Sequence, residues 1–71
     1  MEQLVSTTDA VRLSFLCTLL RDAGIQVNVF DANMSALEAG IGVFPRRIMV
    51  PAELLLYAKI LLKNADEFYD N

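Results

Sequence analysis

The segment Leu13 to Phe30 changes its hydrophobic period in the middle, and that change restricts the fold more than any other feature of the chain. Up to Ala23 the apolar residues recur with helical spacing: Leu13, Phe15, Leu16, Leu19, Leu20 and Ala23 project onto one wide face. Ser14, Thr18, Arg21 and Asp22 project onto the other. Gly24 supplies the residue type at which helices commonly stop. Immediately after it, Ile25-Gln26-Val27-Asn28-Val29-Phe30 alternates apolar and polar residues, the period of a strand with one buried face. A helix stripe and a strand face that follow one another this closely must be buried against each other, so the sequence predicts a layered α+β arrangement.

The remaining elements fall around this unit. Met1 to Ser6 reads as a short first strand, and Thr7, Thr8 and Asp9 offer three helix N-caps. Arg46-Arg47-Ile48-Met49-Val50 reads as a further strand, and Pro51 suits the first turn of a helix that runs to about Asn64. On that helix Leu54, Leu55, Ala58, Leu61, Leu62 and Ala65 form the expected core side. Residues 65–71 are acidic, carry Phe68 and Tyr69, and either extend the helix or fold back. The order β-α-β-connector-β-α predicts a truncated ferredoxin-like sandwich, with two helices on one face of a three-stranded sheet. Residues 1–71 form one domain, for the length leaves no room for a second core. A fourth strand beside the first is missing from the pattern, which leaves the first strand an edge to be covered or paired.

A domain of this size buries only roughly 60 % of its unfolded surface and usually needs a staple. Cys17 is the only cysteine and there is no histidine, so neither an intramolecular disulfide nor the usual zinc or iron site is expected. With an apolar content of 55 %, self-association is the expected aid, with a dimer favoured. Leu56 and Ile60 stand one turn apart on the side of the second helix away from its core residues. They are the candidate oligomer interface unless the C-terminal aromatics fold back over them.

The net charge of −3 and the lack of a basic stripe disfavour nucleic acid. No apolar run reaches the roughly 18 residues that span a membrane, and residues 1–20 lack the layout of a secretion signal. A cytoplasmic protein with a reduced Cys17 is expected. Catalysis is not. Cys17 has no histidine to activate it and reads as a core residue, and the carboxylates at Asp9, Asp22, Asp31, Glu38 and Glu53 are scattered between elements. Neither catalytic residues nor a cofactor or metal site can be assigned. Arg12 falls within the apolar stripe and is expected to reach outward along its stem.

The connector Asp31 to Arg47, with the run DANMSALEAGIGVFPRR, is too apolar for a flexible linker. Its apolar residues suit a cover over the open end of the core. Its polar residues Asp31 and Asn33, with Arg46 and Arg47 at the start of the following strand, are the candidate partner- or ligand-binding group. The plainer role for the arginines is an exposed ion pair with Asp31 or Glu38.

STTDAV, LLRDAGI, DANMS, GIGVFPRR and IMVP together cover nearly the whole chain. In them the sequence resembles a short bacterial family catalogued as putative prokaryotic signal-transducing protein, of unknown function. That resemblance implies a compact fold like that of the nitrogen-regulatory PII proteins, in which a long loop between the second and third strands contacts partners. The chain has no Gly-rich, Lys-bearing phosphate cradle, so nucleotide control is not carried over. The expected function is a small regulatory or protein-interaction module acting through residues 31–47; the alternative is a small-ligand-binding domain with a pocket under the connector.

Overall fold

The computed structural model describes residues 1–30 and 45–71. Their elements are strand β1 (Glu2–Thr7), helix α1 (Ala10–Asp22), strand β2 (Asn28–Phe30), strand β3 (Arg46–Val50), a 3-10 turn (Ala52–Leu54) and helix α2 (Leu55–Asn64). The sheet order is β1-β3-β2, with β3 antiparallel to both neighbours. β1 and β2 therefore run parallel with β3 inserted between them, the split β-α-β arrangement of a ferredoxin-like α+β fold.

Side chains on Cα-paired residues share a sheet face. Val5, Ile48 and Val29 stand in one row across the three strands. Ile48, Val50 and Val5 are buried there against Leu13, Leu16, Cys17 and Leu20 of α1 and Ala58 and Leu62 of α2. Both helices thus cover one face. On the other face stand Gln3, Met49 and Asn28 in one row, and Ser6, Arg47 and Phe30 in the next. The register slips at Leu4, between the pairs Gln3–Met49 and Val5–Ile48, and in consequence both Leu4 and Val5 are buried. Simple alternation along β1 does not anticipate this.

Asp9 is the N-cap of α1. Its Oδ1 accepts from the N–H groups of Val11 at 2.9 Å and Arg12 at 3.3 Å, while Thr7 Oγ1 accepts from the Asp9 N–H. The buried stripe of α1 is Arg12, Leu13, Leu16, Cys17 and Leu20. This corrects the sequence projection at Phe15, which is 51 % exposed. At 100° per residue Phe15 lies roughly 130° from the centre of that stripe, whereas Leu19 lies on its flank and is half-buried. The ladder of β2 begins only at Asn28, although Ile25 and Val27 are already buried with the expected alternation. Within α2 Ala58 and Leu62 are fully buried one turn apart and Leu55 and Leu61 pack partly, as does Leu54 of the preceding turn, while Ala65 just after the helix is exposed rather than on the core side.

Both helices end in the same hydrogen-bonded motif. At α1 the N–H of Ile25 donates to Leu20 O and that of Gly24 to Arg21 O. At α2 the N–H of Glu67 donates to Leu62 O and that of Asp66 to Lys63 O. These are Schellman closures, which place their C′ residue in the left-handed region. Gly24 has φ +81° there, and Asp66 has φ +57°. A Cβ at Gly24 meets nothing within 4 Å, so only the backbone conformation opposes a side chain. Gly24→Ala should therefore destabilise the fold by about 1 to 2 kcal/mol, and Asp66→Gly should stabilise it by a smaller amount, up to about 1 kcal/mol. Urea unfolding of the two variants checks both signs.

Candidate functional site

Arg46 and Arg47 lie at the start of β3, both exposed. Arg47 pairs with Ser6 on one side and Phe30 on the other, on the sheet face away from the helices, and its Cζ stands 5.9 Å from the Phe30 ring centroid. Arg46 pairs with Thr7 and shares the parity of Ile48 and Val50. The two arginines thus leave the strand toward opposite faces, as strand geometry requires. Asp31 and Asn33, and with them the proposed cover over the core and the ion-pair partner Glu38, lie outside the described residues.

The outer side of α2 carries Leu56, 71 % exposed, with Tyr57 and Ile60, each 48 % exposed. The C-terminal segment does fold back, but not over this pair. Phe68 packs against the core, beside Lys63, and Tyr69 goes to Arg12.

Arg12 is where the structure departs most from expectation. Rather than reaching outward, it is 7 % exposed and grips the C-terminal segment. Its Nη2 donates to Glu67 O at 2.7 Å and to Tyr69 O at 2.8 Å, and its Nη1 donates to Asn71 Oδ1 at 2.8 Å. Its Cζ lies 4.0 Å from the Tyr69 ring centroid, and its Nε stands 3.5 Å from Glu67 Oε1 without a hydrogen-bond partner. The segment then reaches β1: Ser6 N–H donates to Asp70 Oδ1 at 2.8 Å, Asn71 N–H donates to Ser6 O at 3.1 Å, and Thr8 Oγ1 donates to Asn71 O at 2.9 Å. Residues 67–71 so occupy part of the place that a fourth strand beside β1 would take. A charged residue inside the apolar stripe was the available signal. Its partners lie at least 55 residues away in sequence, where no local pattern connects them.

Cys17 is buried, and desolvation pushes its thiol above the ordinary value of 9.0, with Arg21 opposing part of the effect. A raised folded-state value keeps the thiol neutral. Its contribution to stability is complete below the unfolded thiol's value and is lost as the pH rises through the folded one. Alkylation by iodoacetamide at neutral pH should accordingly be much slower for the folded chain than for the same chain in urea. Equal rates would place Cys17 at the surface. Among the described residues no three His, Cys, Asp or Glu side chains gather as metal ligands, and no helix is long and apolar enough to cross a membrane.

A three-stranded antiparallel sheet under two helices, with exposed apolar and basic side chains on three separate surfaces, defines a small α+β domain of the ferredoxin-like class. The family model described as putative prokaryotic signal transducing protein matches residues 1–66, and the chain belongs to that family. No curated protein and no solved structure matches it.

Proposed function

We propose that the chain is a non-catalytic, cytoplasmic protein-interaction module in signal transduction, which self-associates through the outer side of α2 and contacts its partner through the 31–47 connector. The family description supports the signalling role. The observation that carries the interaction reading is the contiguous exposed surface of Leu56, Tyr57 and Ile60 on a small domain. Burying a Leu or an Ile side chain contributes about 1.5 to 3 kcal/mol each, so water is a costly neighbour for this pair. The polar edge of the connector, with Asp31, Asn33, Arg46 and Arg47, is the partner contact in this reading, since an arginine fork suits acidic groups on another protein.

Sedimentation of the wild type against Leu56→Glu/Ile60→Glu tests it. The wild type should run as a dimer, and the double variant should remain folded with its dimerisation weakened by at least about a hundredfold, the equivalent of roughly 2.7 kcal/mol. A wild type that sediments as a monomer at the highest attainable concentration overturns the α2 interface.

A further inference from the structure

We propose that the outer side of α2 pairs with the same surface of a second copy in antiparallel orientation, so that Glu53 of each chain meets the partner's Lys63. This pairing rests on the self-association proposed above and assigns its geometry. Its basis is one row of side chains, Glu53, Leu56, Ile60 and Lys63, all four exposed. Residues three and four apart share one side of an α-helix, which aligns Leu56, Ile60 and Lys63. Glu53 belongs to the 3-10 turn Ala52–Leu54, where residues three apart eclipse, and it continues the row beyond Leu56.

The row has the same spacing in both directions and opposite charges at its ends. Its midpoint is Ala58, buried on the far side of the helix. At 1.5 Å per residue, Leu56 and Ile60 stand about 3 Å to either side of that midpoint, and Glu53 and Lys63 about 7.5 Å. The 3-10 turn adds about 1 Å on the Glu53 side. A two-fold axis crossing α2 at Ala58 therefore lays the row on its own reverse. Leu56 then faces the partner's Ile60, and an opposite-charge pair closes each end. Such self-complementarity is what an isologous interface requires, since every contact in it occurs twice. A parallel pairing would instead set Glu53 against Glu53 and Lys63 against Lys63, between chains that already carry a net charge of −3 each. An unrelated protein has no cause to match a row that is its own reverse; a second copy matches it by construction.

Both charges are available for it. Among the described residues the Glu53 carboxylate has neither an ion pair nor a hydrogen bond. The Lys63 ammonium stands 5.6 Å from the Phe68 ring centroid, an exposed cation–π contact that leaves its three N–H donors unfilled. An acidic residue in the first turn and a basic one in the last also suit the dipole of α2 itself. That effect acts within one chain and changes the stability of the monomer. The pairing across the two-fold axis changes association, and the two are separable by experiment.

The test uses full chains carrying Glu53→Lys or Lys63→Glu, sedimented separately and mixed in equal amounts at low salt. Both positions are exposed, so each variant should stay folded by far-UV circular dichroism. Alone, each variant places like charges at both ends of the seam, and its dimerisation should weaken by about tenfold. Mixed, the two restore an opposite-charge contact at each end. Heterodimers should then form with an affinity within about threefold of the wild type, and native mass spectrometry distinguishes them from homodimers. In 1 M salt the difference between variants and wild type should shrink. Single variants that dimerise as tightly as the wild type, while Leu56→Glu/Ile60→Glu dissociates, overturn the antiparallel pairing and leave the α2 interface standing. Weakened variants that do not recover on mixing also overturn the pairing. A wild type that is monomeric at every concentration overturns the pairing together with the interface.

Discussion

Ile48→Ala is expected to bring the chain close to its unfolding midpoint at 25 °C, with a large unfolded fraction. Ile48 is fully buried at the centre of β3, the strand that both others pair with, and it stands in register between Val5 and Val29. Truncating such a residue removes its transfer free energy and leaves a cavity that a sheet held from both sides cannot close, a loss of about 3 to 4 kcal/mol. A domain of this size, with no disulfide among its described residues, has a total stability of only about 3 to 5 kcal/mol. Ile48→Val, which removes one methyl group, should cost about 1 kcal/mol and remain folded. Far-UV circular dichroism and urea midpoints decide. A shift worth less than about 1 kcal/mol for the alanine variant would mean that the row Val5–Ile48–Val29 is not the centre of the core.

That row was legible in the sequence because its determinants are local. Period-2 alternation marks Ile48 and Val50 as one face, and the helix stripe with Gly24 at its end fixes which elements must meet. The α+β order and the edge position of β1 follow from the same patterns. Other features were illegible for specific reasons. The slip at Leu4 depends on how β1 meets β3, not on the composition of β1. Phe15 was misplaced because a stripe nearly 200° wide has no sharp centre in projection. The sheet and Arg12 together set that centre. Of the four candidate binding residues, the two arginines are exposed at the start of β3, and Asp31 and Asn33 lie outside the described residues.

The Arg12 arrangement, which the sequence signalled only as an anomaly, yields the second large effect. Arg12→Met keeps an apolar stem in the stripe and removes the guanidinium. Three acceptors in the C-terminal segment then lose their donor, and the Tyr69 ring loses the cation beneath it. Bonds to a charged donor contribute about 1.5 to 3 kcal/mol each, but they do not add up here, because a segment outside the helices and strands can detach and return its carbonyls to water. The docking free energy of the segment caps the loss, and about 2 to 3 kcal/mol is expected in the urea midpoint. Hydrogen exchange should locate it: the Ser6 and Asn71 amides, which donate across this junction, should lose their protection while the Ile48 amide keeps its own relative to the lowered global stability. Tyr69→Ala supplies the control. A ring 4.0 Å from a largely desolvated guanidinium is worth about 1 to 2 kcal/mol, so the substitution should cost that much in the wild type and close to nothing beside Arg12→Met. Additive losses would show that Tyr69 stabilises the fold through some other contact, and that Arg12 does not hold the segment as a unit.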